Sequence, residues 1–100
     1  MVKSINKVTI RLTMERWIHI TEGHPELINY YFNVLDTIRE PEAIYAGNSG
    51  EQIAIKNIKN EKYMIVIYKE HKKDGFVITA FLTKRIKQMK KRRRLWGTLK

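Results

Sequence analysis

The stretch Tyr63–Leu82, YMIVIYKEHKKDGFVITAFL, decides the fold. Its first run, Tyr63–Tyr68, is apolar on both faces, which reads as a central strand covered on both sides. Its second, Phe76–Leu82, reads as the last strand. Asp74-Gly75 between them is a two-residue hairpin signal. Upstream, Asn60-Glu61 marks another turn, and residues 52–58 alternate weakly before it. Two adjacent hairpins make an antiparallel meander. A short strand at Ala43–Tyr45 and the turn cluster Gly47-Asn48-Ser49-Gly50 lead into it.

Further toward the N-terminus the pattern changes. Val8, Ile10 and Leu12 alternate with Thr9 and Arg11, a short strand. Thr13 suits the N-cap of a helix from Met14 to Glu22, stopped by Gly23. Pro25 suits the first position of a second helix. There Leu27, Ile28, Tyr31, Val34, Leu35 and Ile38 recur at helical spacing until Pro41. Tyr30, Tyr31 and Phe32 are consecutive on it, so at least one must leave the core. Beyond the last strand, residues 84–96 read as a short basic helix with Ile86, Met89 and Trp96 near one face. The expected fold is α+β: N-terminal helices on one face of a roughly four-stranded antiparallel sheet, with a basic C-terminal helix. The sheet's other face is expected to be partly open, a floor for a site. Residues 1–83 form the domain and 84–100 the basic helix or tail.

Composition bounds what such a domain can do. One hundred residues make one core, and an apolar fraction of 43% is enough to fold it. There is no cysteine, which excludes disulfides, thiolate catalysis and Cys-based zinc sites. No apolar run approaches the roughly 18 residues of a membrane span. The opening MVKSINKVTIRL has no continuous apolar region, so no signal peptide is read and a cytoplasmic location is expected.

Charge is the most unbalanced property. Twenty Lys and Arg face ten Asp and Glu, a formal net charge of +10. Residues 84–100 hold nine basic residues and no acidic one, so residues 1–83 carry a net charge of only +1. A neutral body with a cationic end points to a polyanionic partner: nucleic acid, a membrane surface or an acidic protein segment.

Arg16-Trp17-Ile18-His19-Ile20 followed by His24-Pro25-Glu26 resembles the opening of small phage and mobile-element proteins of the barnase–EndoU–colicin–RelE-like nuclease superfamily. Glu40-Pro41-Glu42, Ile44-Tyr45, the apolar run Met64–Tyr68 and Asp74–Phe81 follow in the order of that pattern, over roughly residues 12–85. The resemblance implies an α+β fold and metal-independent ribonuclease or toxin activity. It puts Arg16, His19, His24, Tyr45 and Thr79 at matching positions, with Lys84 just after the last strand. Ile53-Ala54-Ile55-Lys56 departs from the pattern, leaving Lys56 and Lys84 as alternative cations.

Metal-free RNA cleavage needs a base for the 2′-hydroxyl, an acid for the leaving oxygen and donors for the phosphorane charge. His19 suits the proton transfers and Arg16 the phosphate clamp, three residues apart on one helix face. Thr79 and Lys84 would support the phosphate. His24, Tyr45, Lys56, Arg92, Arg93 and Arg94 would bind substrate. Structural readings compete with these: Arg16 pairing Glu22 or Glu26, His19 as a hydrogen-bonded histidine, His24 as a turn former, His71 as a loop histidine, Thr79 as a strand residue. The histidine spacings make no metal motif, and no cofactor is expected. For the tail, nucleic-acid phosphates compete with a membrane surface anchored by Leu95 and Trp96, an acidic partner such as an antitoxin, and a solvated terminus. The expectation is therefore a metal-independent endoribonuclease or RNase-like toxin, with a non-catalytic nucleic-acid-binding module as the alternative.

Overall fold

In the computed structural model, which describes residues 1–99, the chain forms a seven-stranded sheet curled into a half-barrel. The strands are β1 (Val2–Lys3), β2 (Thr9–Arg11), β3 (Ala43–Ala46), β4 (Gln52–Lys59), β5 (Lys62–His71), β6 (Asp74–Thr83) and β7 (Arg94–Gly97). Helices α1 (Met14–Gly23) and α2 (Tyr31–Arg39) are joined by a 3₁₀ helix at Pro25–Tyr30, and α3 (Lys87–Lys90) is one turn. The strand order β1-β2-β6-β5-β4-β3-β7 puts β5 at the centre. The expected α+β class with N-terminal helices against a sheet is observed. The roughly four-stranded antiparallel sheet is not, because three short strands extend the meander at both ends, and β2 pairs with β6 in parallel.

Residues 63–68 explain why β5 is central. Met64, Val66 and Tyr68 face a first core with Ile20, Leu27, Val34 and Ile38 from the helices. Tyr63 and Ile65 face a second core with Tyr45, Ile53 and Ile55, against which Ile67 also packs. A strand buried on both sides has no polar alternation to show, hence its continuous apolar run.

The second face is covered over Tyr45, Ile53, Ile55 and Ile65 and stays partly exposed toward β6, where Ile67, Thr79 and Phe81 are half-buried and Phe76 is exposed. Ile86 and Met89 pack against the second core and Leu99 is buried in it. The segment after β6 therefore crosses this face and adds β7 to the outer edge of β3. The basic C-terminal helix expected over 84–96 is accordingly replaced by one helical turn and an edge strand. Gly97, at φ +73°, closes β7 where a Cβ would meet Glu42 O at 2.1 Å.

Thr13 caps α1 as expected, its Oγ1 accepting from Arg16 N–H at 3.1 Å. The second helix starts as 3₁₀ rather than α, and Phe32 is the aromatic that leaves the core. Asn60 and Glu61, both at positive φ, turn β4 into β5. The β5–β6 turn lies at Lys72-Lys73, with Lys72 at φ 57°, one step before the Asp74-Gly75 signal. Gly75 serves close packing instead: a Cβ there would meet Lys69 O at 2.4 Å and Ile10 Cδ1 at 2.7 Å.

Candidate functional site

Arg16 and His19 are brought together. With Thr13 and Glu15 they line an open depression of about 290 Å³ on α1. The helix runs beside β6 beyond Phe76, the last β6 residue that pairs with β2. Arg16 Nη1 donates to Ile78 O at 3.4 Å, and the His24 ring lies 6.0 Å from Phe81. Neither Glu22 nor Glu26 pairs with Arg16. No hydrogen bond or ion pair engages the His19 imidazole among the described residues. Glu15 stands one helical turn before His19, so the depression offers a carboxylate, an imidazole and a guanidinium. Sequence reasoning passed over Glu15, although its i,i+4 spacing to His19 was available.

Thr79 follows Ile78, whose carbonyl accepts from Arg16, but it pairs with Ile67 and so turns its side chain to the second-core side of the sheet. Most of the other residues expected at this site lie elsewhere. Lys84 follows the end of β6, six residues beyond Ile78, roughly 20 Å along an extended strand. That exceeds what a lysine can close to join Arg16. His24 caps the end of α1 with its N–H on Ile20 O at 2.8 Å, its ring 3.6 Å from Glu26, which is the turn-former role. Tyr45 is buried in the second core. Lys56 Nζ is held 2.7 Å from Asp36 under α2, on the opposite face from Tyr45. His71 is an exposed residue at the β5–β6 turn.

The cationic segment makes a second and larger surface. Lys84, Arg85, Lys87, Lys90, Lys91, Arg92, Arg93 and Arg94 are carried on the stretch that crosses the second core. None of the eight forms an ion pair among the described residues. Lys100 lies outside the described residues. Arg92 Nη1 is held by Asn48 Oδ1 at 2.8 Å and by Ala46 O at 3.4 Å. Arg94 Nη1 donates to Thr98 Oγ1 at 3.1 Å. Arg93 gives its carbonyl to Ala46 N–H at 2.8 Å and leaves its side chain exposed. Beside Arg92, the Glu51 carboxyl sits below its ordinary range, mainly because Ser49 N–H donates to it at 2.6 Å.

Two hollows meet at Lys84. One, of about 550 Å³, is lined by Glu61, Tyr63, Arg85, Ile86, Lys87, Gln88 and Lys90 together with Lys84, so one carboxylate stands among its cations. The other, of about 230 Å³, adds Tyr30, Lys59, Asn60 and Lys62 from the helices and the β4–β5 turn. Lys59 and Lys62 were not singled out from sequence, since only the fold brings that turn beside residue 84. Among the described residues no group of three or more His, Asp or Glu side chains is placed to hold a metal ion. No helix among them is long and apolar enough to cross a membrane. Comparison with family models, curated proteins and solved structures finds no match to this chain.

Proposed function

We propose that the protein is a cytoplasmic nucleic-acid-binding module that engages the phosphate backbone of RNA through its C-terminal segment. One observation carries this reading: eight cations, with no acidic residue among residues 84–99, are carried on an ordered segment packed by Ile86, Met89 and Leu99 and paired by β7. A cationic segment whose backbone is held by a core loses little backbone freedom on binding, unlike a loose tail. Lys84, shared by two hollows, continues the surface toward Lys59 and Lys62. The counterions released by phosphate contacts make such binding steeply salt-dependent.

A second reading, metal-independent cleavage of RNA as in the nuclease superfamily that the opening motif resembles, is favoured by the shared depression of Glu15, Arg16 and His19. There His19 and Glu15 would move the two protons and Arg16 would clamp the phosphate. One experiment addresses both readings. The protein is titrated against single-stranded RNA in EDTA, and the same samples are run on a denaturing gel beside His19→Ala. The binding reading expects a salt-sensitive complex, weakened at least tenfold when Arg92, Arg93 and Arg94 are all changed to alanine, with intact RNA. Cleavage by the wild type alone establishes the second reading. Absence of binding at low salt overturns the first.

A further inference from the structure

We infer that the cavity between β7 and the N-terminal arm takes one unstacked nucleobase, an inference that rests on the nucleic-acid reading above. The cavity has a volume of about 280 Å³ and is lined by Ile5, Asn6, Ile44, Gln52, Leu95 and Trp96. It exists because the sheet curls: β1 and β7 are its two ends, yet residues 5–6 and 95–96 face one space. The volume is just under the roughly 300–1,000 Å³ of pockets for drug-sized molecules, which is the scale of a single planar ring system.

Trp96 pairs with Ile44 across the β3–β7 ladder, so its indole stands on the same face, and it is 43% exposed. An exposed tryptophan wall opposite isoleucine and leucine side chains is a stacking platform for a flat ring. Two amides complete the walls, and Glu70 sets which way they point. Its Oε1 accepts from Gln52 Nε2 at 2.8 Å and from Asn6 Nδ2 at 3.0 Å, while Ser4 Oγ donates to its other oxygen. Each amide spends one of its two N–H donors on this carboxylate, which orients both groups and leaves their carbonyl oxygens unused by it. Gln52 Oε1 has no partner although it is buried.

These walls exclude an anion and suit a base. Phosphate or carboxylate would bring a second negative group beside the Glu70 carboxylate that both amides already bind. Every nucleobase instead carries N–H donors on its pairing edge and a π-face for Trp96. Arg94 pairs with Tyr45 and so turns to the other face of β7 from Trp96. Because β7 is the sheet's edge strand, the chain flanking a base seated on Trp96 runs over that edge toward Arg93 and Arg94.

The test titrates the full chain at low salt with a labelled single-stranded RNA and with an oligomer of equal length whose sugars are abasic. The abasic oligomer is expected to bind about tenfold more weakly, the scale of one base–aromatic stack. Trp96→Ala should abolish that difference and Trp96→Phe should keep most of it. Equal binding of the two oligomers by the wild type overturns the base pocket and leaves the phosphate reading standing. Absence of binding by both oligomers overturns the two together.

Discussion

Asp36 holds two cations at once, Lys56 Nζ and Arg39 Nη2, each at 2.7 Å. The Lys56 hydrogen bond, and then that from Arg39, hold its carboxyl below the usual aspartate range. A depressed carboxyl contributes stability that is complete above the unfolded-state value, about 3.9, and is lost as pH falls through the lower folded-state value. Asp36 is more than a third exposed, so solvent screening keeps the contribution to about 1 kcal/mol. Asp36→Asn should therefore lower the urea midpoint at pH 6, with an effect that shrinks as pH falls through the folded-state value. A difference that persists unchanged at low pH would mean the amide disturbs packing, not charge. The same pair shows where sequence reading ends at this scale. Lys56 was an alternative cation for a substrate, because nothing local says that residues 36 and 56 meet; only the packing of α2 on β4 says so. The Thr13 cap and the Arg16–His19 spacing, by contrast, are local and were legible.

At the scale of elements, residues 84–99 are the main departure from the sequence reading. Lys, Arg and Gln favour helix in isolation, and Ile86 and Met89 at i,i+3 look like one helical face. Beyond one turn, however, every added residue from 90 to 94 is a cation with no acid at i±3 or i±4, and like charges at that spacing oppose a helix. β3 offers an edge with unmet hydrogen bonds, and the chain takes it. The consequence is testable because this segment is part of the fold. Ile86→Asp with Met89→Asp should remove two partly buried apolar anchors at roughly 1 kcal/mol each and leave charges on the second core. The melting temperature should fall by about 5–10 °C. An unchanged transition would restore the detachable tail that the charge run suggested. The meander itself was legible, since Asn60-Glu61 and the apolar run of β5 specify it locally. Gly75 was misread as a turn because close packing and tight turning both demand glycine, and only the parallel partner Ile10 distinguishes them.

For the whole molecule, the net charge of +10 is spread over a radius of gyration of 12.4 Å. At about 10 mM salt the screening length is roughly 30 Å, so all the cations repel one another; at 150 mM it is about 8 Å, and only near neighbours do. The chain's sign asymmetry was legible from composition. What composition leaves out is that eight of the twenty cations sit on one ordered segment, beside Lys59, Glu61 and Lys62 of the β4–β5 turn. Salt should therefore raise the melting temperature of the free protein by several degrees between these conditions, as screening relieves the self-repulsion. The complex with RNA should respond with the opposite sign. Bound phosphate neutralises the segment, and salt then removes the ligand whose binding stabilises the folded state. Differential scanning fluorimetry with and without single-stranded RNA reads both slopes in one series. The Arg92→Ala, Arg93→Ala, Arg94→Ala variant should flatten both slopes together, because one set of charges produces them. If the variant flattens the slope of the free protein and leaves that of the mixture intact, RNA is held elsewhere. The Arg16–His19 edge of β6, separated from β7 by three strands in the sheet order, would then be the surface to examine.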